Sequence, residues 1–288
     1  MIVAVATLLL GTATWFVYNA MEQKHLARWE LMGSAPSGLP VFMFHEPDAQ
    51  ELEEVLDHLV RNQYITLGVR EASDILAGRR PFTGREVLLT FDDGKLALWS
   101  YVWPALQKRK LRGVAFVNPG LVTESSLRPQ HPGEGPANED LSQYCSWDEL
   151  QKAAGQGLDI QSHAWSHERE IYADVALHPQ YHQEILQGLV RAKDRLISMG
   201  FGRQLLFCAP FGSVSPALEE MALEAGYPQV VGVRPDRYEG FYSPENEAGA
   251  KRVIRFNHRS ILSLPGEGRE GLMGRMWRRL WRGGDRYE

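Results

Sequence analysis

Cysteine is scarce in this chain of 288 residues: there are two, Cys145 and Cys208, in no CxxC arrangement. Neither a zinc knuckle nor a dithiol redox motif can be built from them. What remains open is pairing in an oxidising compartment, or plain packing as small apolar residues. An excess of positive charge is missing too. The formal net charge is −5, which withholds the footprint that phosphate backbones require and sets nucleic acid aside as a partner. The composition is not that of a disordered chain either: 44% hydrophobic and 23% charged residues suffice for one medium-sized core plus appendages.

Charge is absent altogether from Met1 to Met21, a run long enough at helical rise to cross a bilayer's hydrocarbon core. The basic start and small-residue cleavage site of a secretory signal are weak or missing, so an uncleaved anchor is expected, with Trp15 and Tyr18 at the interface. Lys24 and Arg28 follow the run and, by the positive-inside rule, argue for a cytoplasmic body.

Residues 22–38 read as a linker ending in SAPSG. From Leu39 on, short apolar runs alternate with helical patterns. Eight strands are predicted, at 39–45, 64–67, 86–92, 113–118, 158–163, 205–209, 229–233 and 252–256. Helical stripes lie between them, such as Leu52, Val55, Leu56, Leu59 and Val60, or Ile185, Leu189, Ala192 and Leu196. The alternation predicts an α/β fold with a parallel sheet, best fitted by a distorted (β/α) barrel of seven or eight strands over 39–262. A polar, Pro- and Gly-rich insertion interrupts it at 123–142. At 263–288, Leu272, Met273, Met276, Trp277, Leu280 and Trp281 share one helical face and Arg275, Arg278, Arg279 and Arg282 the other. That pattern suits a basic interfacial helix on a membrane, or a terminal helix docked on the barrel.

Chemistry collects where the predicted strands end: His45, Asp92-Asp93-Gly94, Ser162-His163-Ala164-Trp165-Ser166-His167 and Pro210-Phe211-Gly212. In a barrel these ends share one mouth. Singly, an Asp-Asp-Gly is often a turn and two histidines four apart are often a solvated helical face. Together, His163 and His167 with one carboxylate make an N,N,O set for a divalent cation, with Asp93 the natural third ligand. The other carboxylate, Asp92, is then free to take a proton. The aromatic residues Trp99, Tyr101, Trp103, Trp147 and Trp165 offer faces for sugar rings, though most tryptophans in a barrel this size are core residues; Trp165 is the one expected in a groove.

Thr90-Phe91-Asp92-Asp93-Gly94 and Ser162-His163-Ala164-Trp165-Ser166-His167 resemble the TFDDG and SHxxSH motifs of the polysaccharide deacetylase (NodB-homology) family, the resemblance running from about Leu39 to Phe256. It implies Asp92 as base, Asp93, His163 and His167 as metal ligands (zinc foremost, cobalt or nickel as alternatives), and the Phe211 backbone N–H as an oxyanion donor. Pro210 and Trp165 then face substrate. The opening VFMFHEP is similar to the start of the branch that deacetylates poly-N-acetylglucosamine, which implies His45 as the general acid; His258 is the alternative acid and Asp236 a carboxylate that could tune it. The arginine that the family often carries ahead of the proline is absent, Cys208 and Ala209 standing there instead. The expected function is metal-dependent de-N-acetylation of an amino-sugar polymer of exopolysaccharide or peptidoglycan type. A non-sugar amide or cyclic-imide hydrolase and a non-catalytic polysaccharide-binding barrel are the alternatives. A glycan substrate puts the body outside the cytoplasmic membrane, against the direction in which Lys24 and Arg28 point.

Overall fold

The structure is a computed structural model describing residues 34–124, 141–166, 179–212, 214–233 and 252–271. The apolar run at 1–21, most of the insertion and the tail beyond 271 lie outside these residues, as do His167 and Asp236. Among the described residues no helix is long and apolar enough to cross a membrane.

Nine strands form one parallel system: β1 (Val41–Phe44), β2 (Ile65–Thr66), β3 (Glu86–Phe91), β4 (Val114–Val117), β5 (Asp159–Ser162), β6 (Leu206–Cys208), β7 (Gln229–Gly232), β8 (Arg252–Ile254) and β9 (Phe256–Asn257). Their order is β8-β7-β6-β5-β4-β3-β1-β9, with β2 paired to the lower end of β3. All eight expected runs appear, and the last is split. Its first half pairs with β7, and after a break at Arg255 its second half pairs with β1. That single segment brings the sheet round to its starting strand, giving a nearly closed barrel.

The strands are short, buried apolar runs, as parallel strands covered on both faces must be; β1, β3 and β4 are buried at every position. Alternation then sorts their side chains. Val41, Leu88, Val114, Phe116, Leu206, Val231 and Val253 pack together inside, while Phe42, Phe44, Leu89, Phe91, Ala115, Val117 and Ile160 pack under the helices. Helix α1 (Ala49–Arg61) starts where Asp48 accepts hydrogen bonds from the Gln50 and Glu51 N–H groups, and it buries Leu52, Val55, Leu56 and Leu59. Val60, counted above in the same stripe, is exposed instead. Helices α2 (Val69–Leu76) and α3 (Trp103–Lys108) follow. Helix α4 (Trp147–Gly155) carries a reciprocal capping box between Ser146 and Glu149. Helix α5 (His182–Ser198) buries the expected stripe of Ile185, Leu189, Ala192 and Leu196, and α6 (Pro216–Glu224) is capped by Ser215. The barrel body runs slightly past residue 262: Ser263 and Leu264 are fully buried, and Asn62 at the end of α1 accepts from the Glu267 N–H.

One seam is held by side chains. Strands β5 and β6 meet in register only at Ser162 and Phe207. Below that point the buried Gln161 Oε1 accepts from the Leu205 and Leu206 N–H groups, and its Nε2 donates to the Ile160 and Arg203 carbonyls. A side-chain amide replaces the missing ladder between the two strands that carry His163 and Cys208. Gln161→Leu would leave two backbone donors buried without partners, and we expect a loss of about 3 kcal/mol in a denaturant titration.

Candidate active site

Strand ends β1, β3, β5, β6 and β8 open on the same mouth, and the inward positions at their tips form the site. Asp92 follows β3 in phase with Leu88 and Thr90 and is buried. Its Oδ1 is ion-paired with Arg255 Nη1, and its Oδ2 lies 3.6 Å from His45 Nε2. Arg255, itself fully buried, also reaches Thr90 Oγ1 at 3.3 Å and lies over the Phe116 ring. Burial by itself would raise the Asp92 pKa; Arg255, followed by His45 and His163, outweighs it and holds the carboxyl below its ordinary value.

Arg255 was not among the residues singled out from the sequence, and it changes the reading of the missing arginine. The position ahead of Pro210 is indeed vacated, but a guanidinium reaches the base from another strand, out of the break between β8 and β9, which β1 alone separates from the Asp92 strand β3. The sequence held a signal. In RVIRF the inward phase set by Val253 falls on Arg255, and an arginine aimed into an apolar barrel demands a buried counter-charge. The case for a degenerate, non-catalytic barrel rested on that absence and loses its support.

His163 leaves β5 and is buried. Its Nδ1 is 2.9 Å from the Cys208 carbonyl and its Nε2 is 3.4 Å from Asp93 Oδ1. A carbonyl can only accept, so Nδ1 donates to it and Nε2 is the nitrogen turned to the carboxylate, the one whose lone pair would serve a cation once its proton is displaced, the arrangement of a metal-binding histidine with its outer partner. Asp93 has φ of 68°, which ends the strand and swings its carboxylate off the Asp92 side. Asp93 and His163 thus fit a divalent cation. His167, the third expected ligand, lies outside the described residues.

Asp92, His163 and Cys208 also bring one potential ligand atom each within 4.8 Å of one another. Both cysteines are free and buried, and burial pushes the Cys208 thiol pKa up. A neutral thiol and an Nδ1 already donating make this trio a poorer cation set than the Asp93 and His163 pair. Burial pushes the His163 pKa down, but its contacts with Cys208, Asp93 and Asp92 outweigh burial and lift it well above the ordinary value, so without a cation Nε2 carries a proton that a cation held there would displace.

The motif loops share a backbone device: Asp93, Ala164 and Phe211 all adopt left-handed conformations, with φ of 68°, 64° and 58°. Such residues cost about 1–3 kcal/mol each and persist where tight turns re-aim a functional group. Phe211 turns between the buried Pro210 and Gly212, and a Cβ on Gly212 would come within 2.6 Å of Val233 Cγ2. Gly212→Ala is therefore expected to displace the Phe211 N–H and cut kcat about a hundredfold, the scale of losing one oxyanion donor, with KM little changed.

His45 is half exposed at the mouth beside Asp92. His258 stacks on Phe44 at 4.9 Å and its Nε2 lies 3.6 Å from Glu51 Oε2 on α1, where Arg259 also pairs. Trp165 has Gly120 against its ring and the Arg191 guanidinium 3.6 Å from its centroid, so it is not a bare sugar platform. Trp103 and Trp147 are core residues.

A nearly closed parallel barrel with a carboxylate–arginine pair, an adjacent histidine and a carboxylate–histidine cation pair at its C-terminal mouth defines a hydrolase site. The chain belongs to the polysaccharide deacetylase family, whose profile matches residues 79–230, and is thereby a hydrolase of the carbohydrate de-N-acetylase class. The match leaves His45 and Arg255 outside. It is 24% identical over 219 residues to YxkH of Bacillus subtilis (strain 168), covering 72% of this chain and 70% of that protein. Its fold is similar to that of IcaB from Ammonifex degensii, with a TM-score of 0.62 and 24% identity over 76% of this chain and 91% of that one. It is also similar to a de-N-acetylase from Aggregatibacter actinomycetemcomitans, with a TM-score of 0.59 and 14% identity over 83% and 98% of the two chains.

Proposed function

We propose that the protein removes acetyl groups from N-acetylated sugars of an extracytoplasmic polymer, an exopolysaccharide or peptidoglycan, by metal-dependent amide hydrolysis. The observation that carries this reading is the position of Asp92: one oxygen is held by Arg255 and the other faces His45, beside the Asp93 and His163 pair. A divalent cation held by Asp93, His163 and His167, zinc foremost with cobalt or nickel as alternatives, would polarise the acetyl carbonyl and lower the pKa of the attacking water.

Asp92 takes the proton from the water that adds to the acetyl carbon. Arg255 keeps this base ionised and fixes which oxygen is free to accept. Phe211 lends its backbone N–H to the oxyanion. As the carbon–nitrogen bond breaks, His45 Nε2 supplies a proton to the departing amine, and the products are acetate and an amino sugar. His45 suits this task by place: it is the histidine at the rim, open to the polymer on one side and close to Asp92 on the other.

The uncharged segment 1–21 tethers the barrel to the membrane, with the basic tail from 272 as a second contact. The test is acetate release by the full-length, detergent-solubilised protein with added zinc, from N-acetylglucosamine oligomers, exopolysaccharide and peptidoglycan. Release from a glycan, abolished in Asp92→Asn, is the expected result. A metal-loaded protein that releases acetate from none of them would favour the alternative, a hydrolase of a non-sugar amide or cyclic imide. An alkaline phosphatase fusion at the C-terminus should be active; an inactive one would place the body in the cytoplasm.

A further inference from the structure

The loop that leaves β3 with the two catalytic aspartates continues directly into Lys95, whose side chain the chemistry above does not use. This loop is fixed by several contacts. The Gly94 carbonyl accepts from the Cys145 N–H at 2.8 Å, the Lys95 carbonyl lies 3.2 Å from Cys145 Sγ, and Lys95 and Tyr144 form an antiparallel bridge. Gly94 has φ of 70° and its missing Cβ would lie 2.9 Å from Val117 Cγ1, so the turn is pinned from below as well. The Lys95 ammonium is placed with equal definition: Nζ is 2.9 Å from the Tyr144 hydroxyl and 4.1 Å from the centre of its ring, and Tyr144 is itself buried.

What this ammonium lacks, among the described residues, is a carboxylate within ion-pair distance. The carboxylates of its own loop are engaged elsewhere, Asp92 by Arg255 and His45, Asp93 by His163. A neutral hydroxyl and an aromatic face orient a cation without neutralising it. The result is a half-buried, pre-oriented positive charge two residues along the chain from Asp93. Little side-chain entropy is left to lose when it meets an anion, the condition under which one charged contact contributes to affinity.

We propose that Lys95, set by Tyr144, forms a subsite for a carboxylate carried by the polymer, so that the preferred substrate is an acidic glycan in which N-acetylated sugars alternate with carboxylate-bearing ones. This rests on the de-N-acetylase reading and narrows it. A polymer whose only charges are the ammonium groups released by the reaction would be repelled by Lys95 as deacetylation proceeds, whereas an acidic polymer keeps its attraction.

The test compares binding of three tetrasaccharides to the zinc-loaded full-length protein in detergent, by calorimetry at low salt. They are a neutral N-acetylglucosamine tetramer, a tetramer in which every second sugar carries a free carboxylate, and the methyl ester of the latter. The acidic tetramer should bind about tenfold more tightly than either neutral one, the scale of one charge-assisted hydrogen bond. That preference should vanish in Lys95→Met, survive in Lys95→Arg and shrink as salt is raised. Equal affinity for all three sugars, no binding of any, a preference that persists in Lys95→Met, or an equal loss for all three sugars in that variant would each overturn the subsite, the last by showing that Lys95 only braces the loop. Acetate release is scored in parallel, so a barrel that binds acidic glycan without releasing acetate would refute the proposed reaction and leave the subsite standing.

Discussion

Asp92→Asn and Arg255→Met should each lower stability by about 3–5 kcal/mol, while the double variant recovers most of that loss and remains inactive. The two side chains are both buried and form one ion pair. Removing either partner strands the other charge away from water, whereas removing both leaves no charge to desolvate, which is why the singles and the double part company. In a domain of this size the single variants should melt roughly 10 °C lower. Activity follows a different logic. Asp92→Asn removes the base, with an expected fall in kcat of about 10²–10⁴-fold that no second substitution restores. Arg255→Met keeps the base and alters its pKa. Arg255 opposes the upward push of burial on Asp92, so in its absence the carboxylate ionises only at higher pH, and the acidic limb of the kcat/KM profile should move toward neutrality. Thermal melts of the four proteins and a pH profile of Arg255→Met check this; an unchanged acidic limb together with an unchanged melting temperature would deny Arg255 its role.

Removing the metal should be as severe. After chelation and desalting, acetate release is expected to fall about 10³-fold and to return with zinc, while His163→Ala should neither retain metal nor recover. The reason lies in how His163 is held. Its Nδ1–H is committed to the Cys208 carbonyl and its Nε2 is aimed at the Asp93 side, so one ring supplies both the ligand and the orientation that makes it one. Alanine leaves Asp93 without its nitrogen partner. Cys208→Ser keeps the carbonyl and should keep the metal, which separates the backbone's contribution from the thiol's. Elemental analysis beside the activity assay decides the matter: full turnover by protein shown to be metal-free would end the metal-dependent reading.

Much of this molecule can be read without its structure. Most of the eight apolar runs become strands because they are short, rich in β-branched or aromatic residues and buried on both faces, Ile65 of β2 being the exposed exception, and the helices between them follow apolar spacing and capping residues such as Asp48 and Ser146. The clustering of His45, Asp92, His163 and Pro210 follows from topology alone, since parallel strands joined by helices send all their carboxyl ends to one face. Periodicity failed at the margins. Val60 matched an apolar stripe yet is exposed, because it stands one residue past the buried Leu59 and so turns to the edge of the face that α1 lays on the barrel.

Local sequence therefore determined the elements, the family motifs and the face of each strand on which a residue stands. It could not determine which strand lies beside which, and the site's decisive contacts depend on that. Arg255 meets Asp92 across 163 residues of chain only because one broken strand pairs with β7 and then with β1. His163 is oriented by a Cys208 carbonyl 45 residues away because β5 and β6 are neighbours, and Lys95 is set by Tyr144 from beyond the insertion. Side-chain direction is a local property of the backbone, whereas the partner that a buried charge finds is fixed by how the barrel closes.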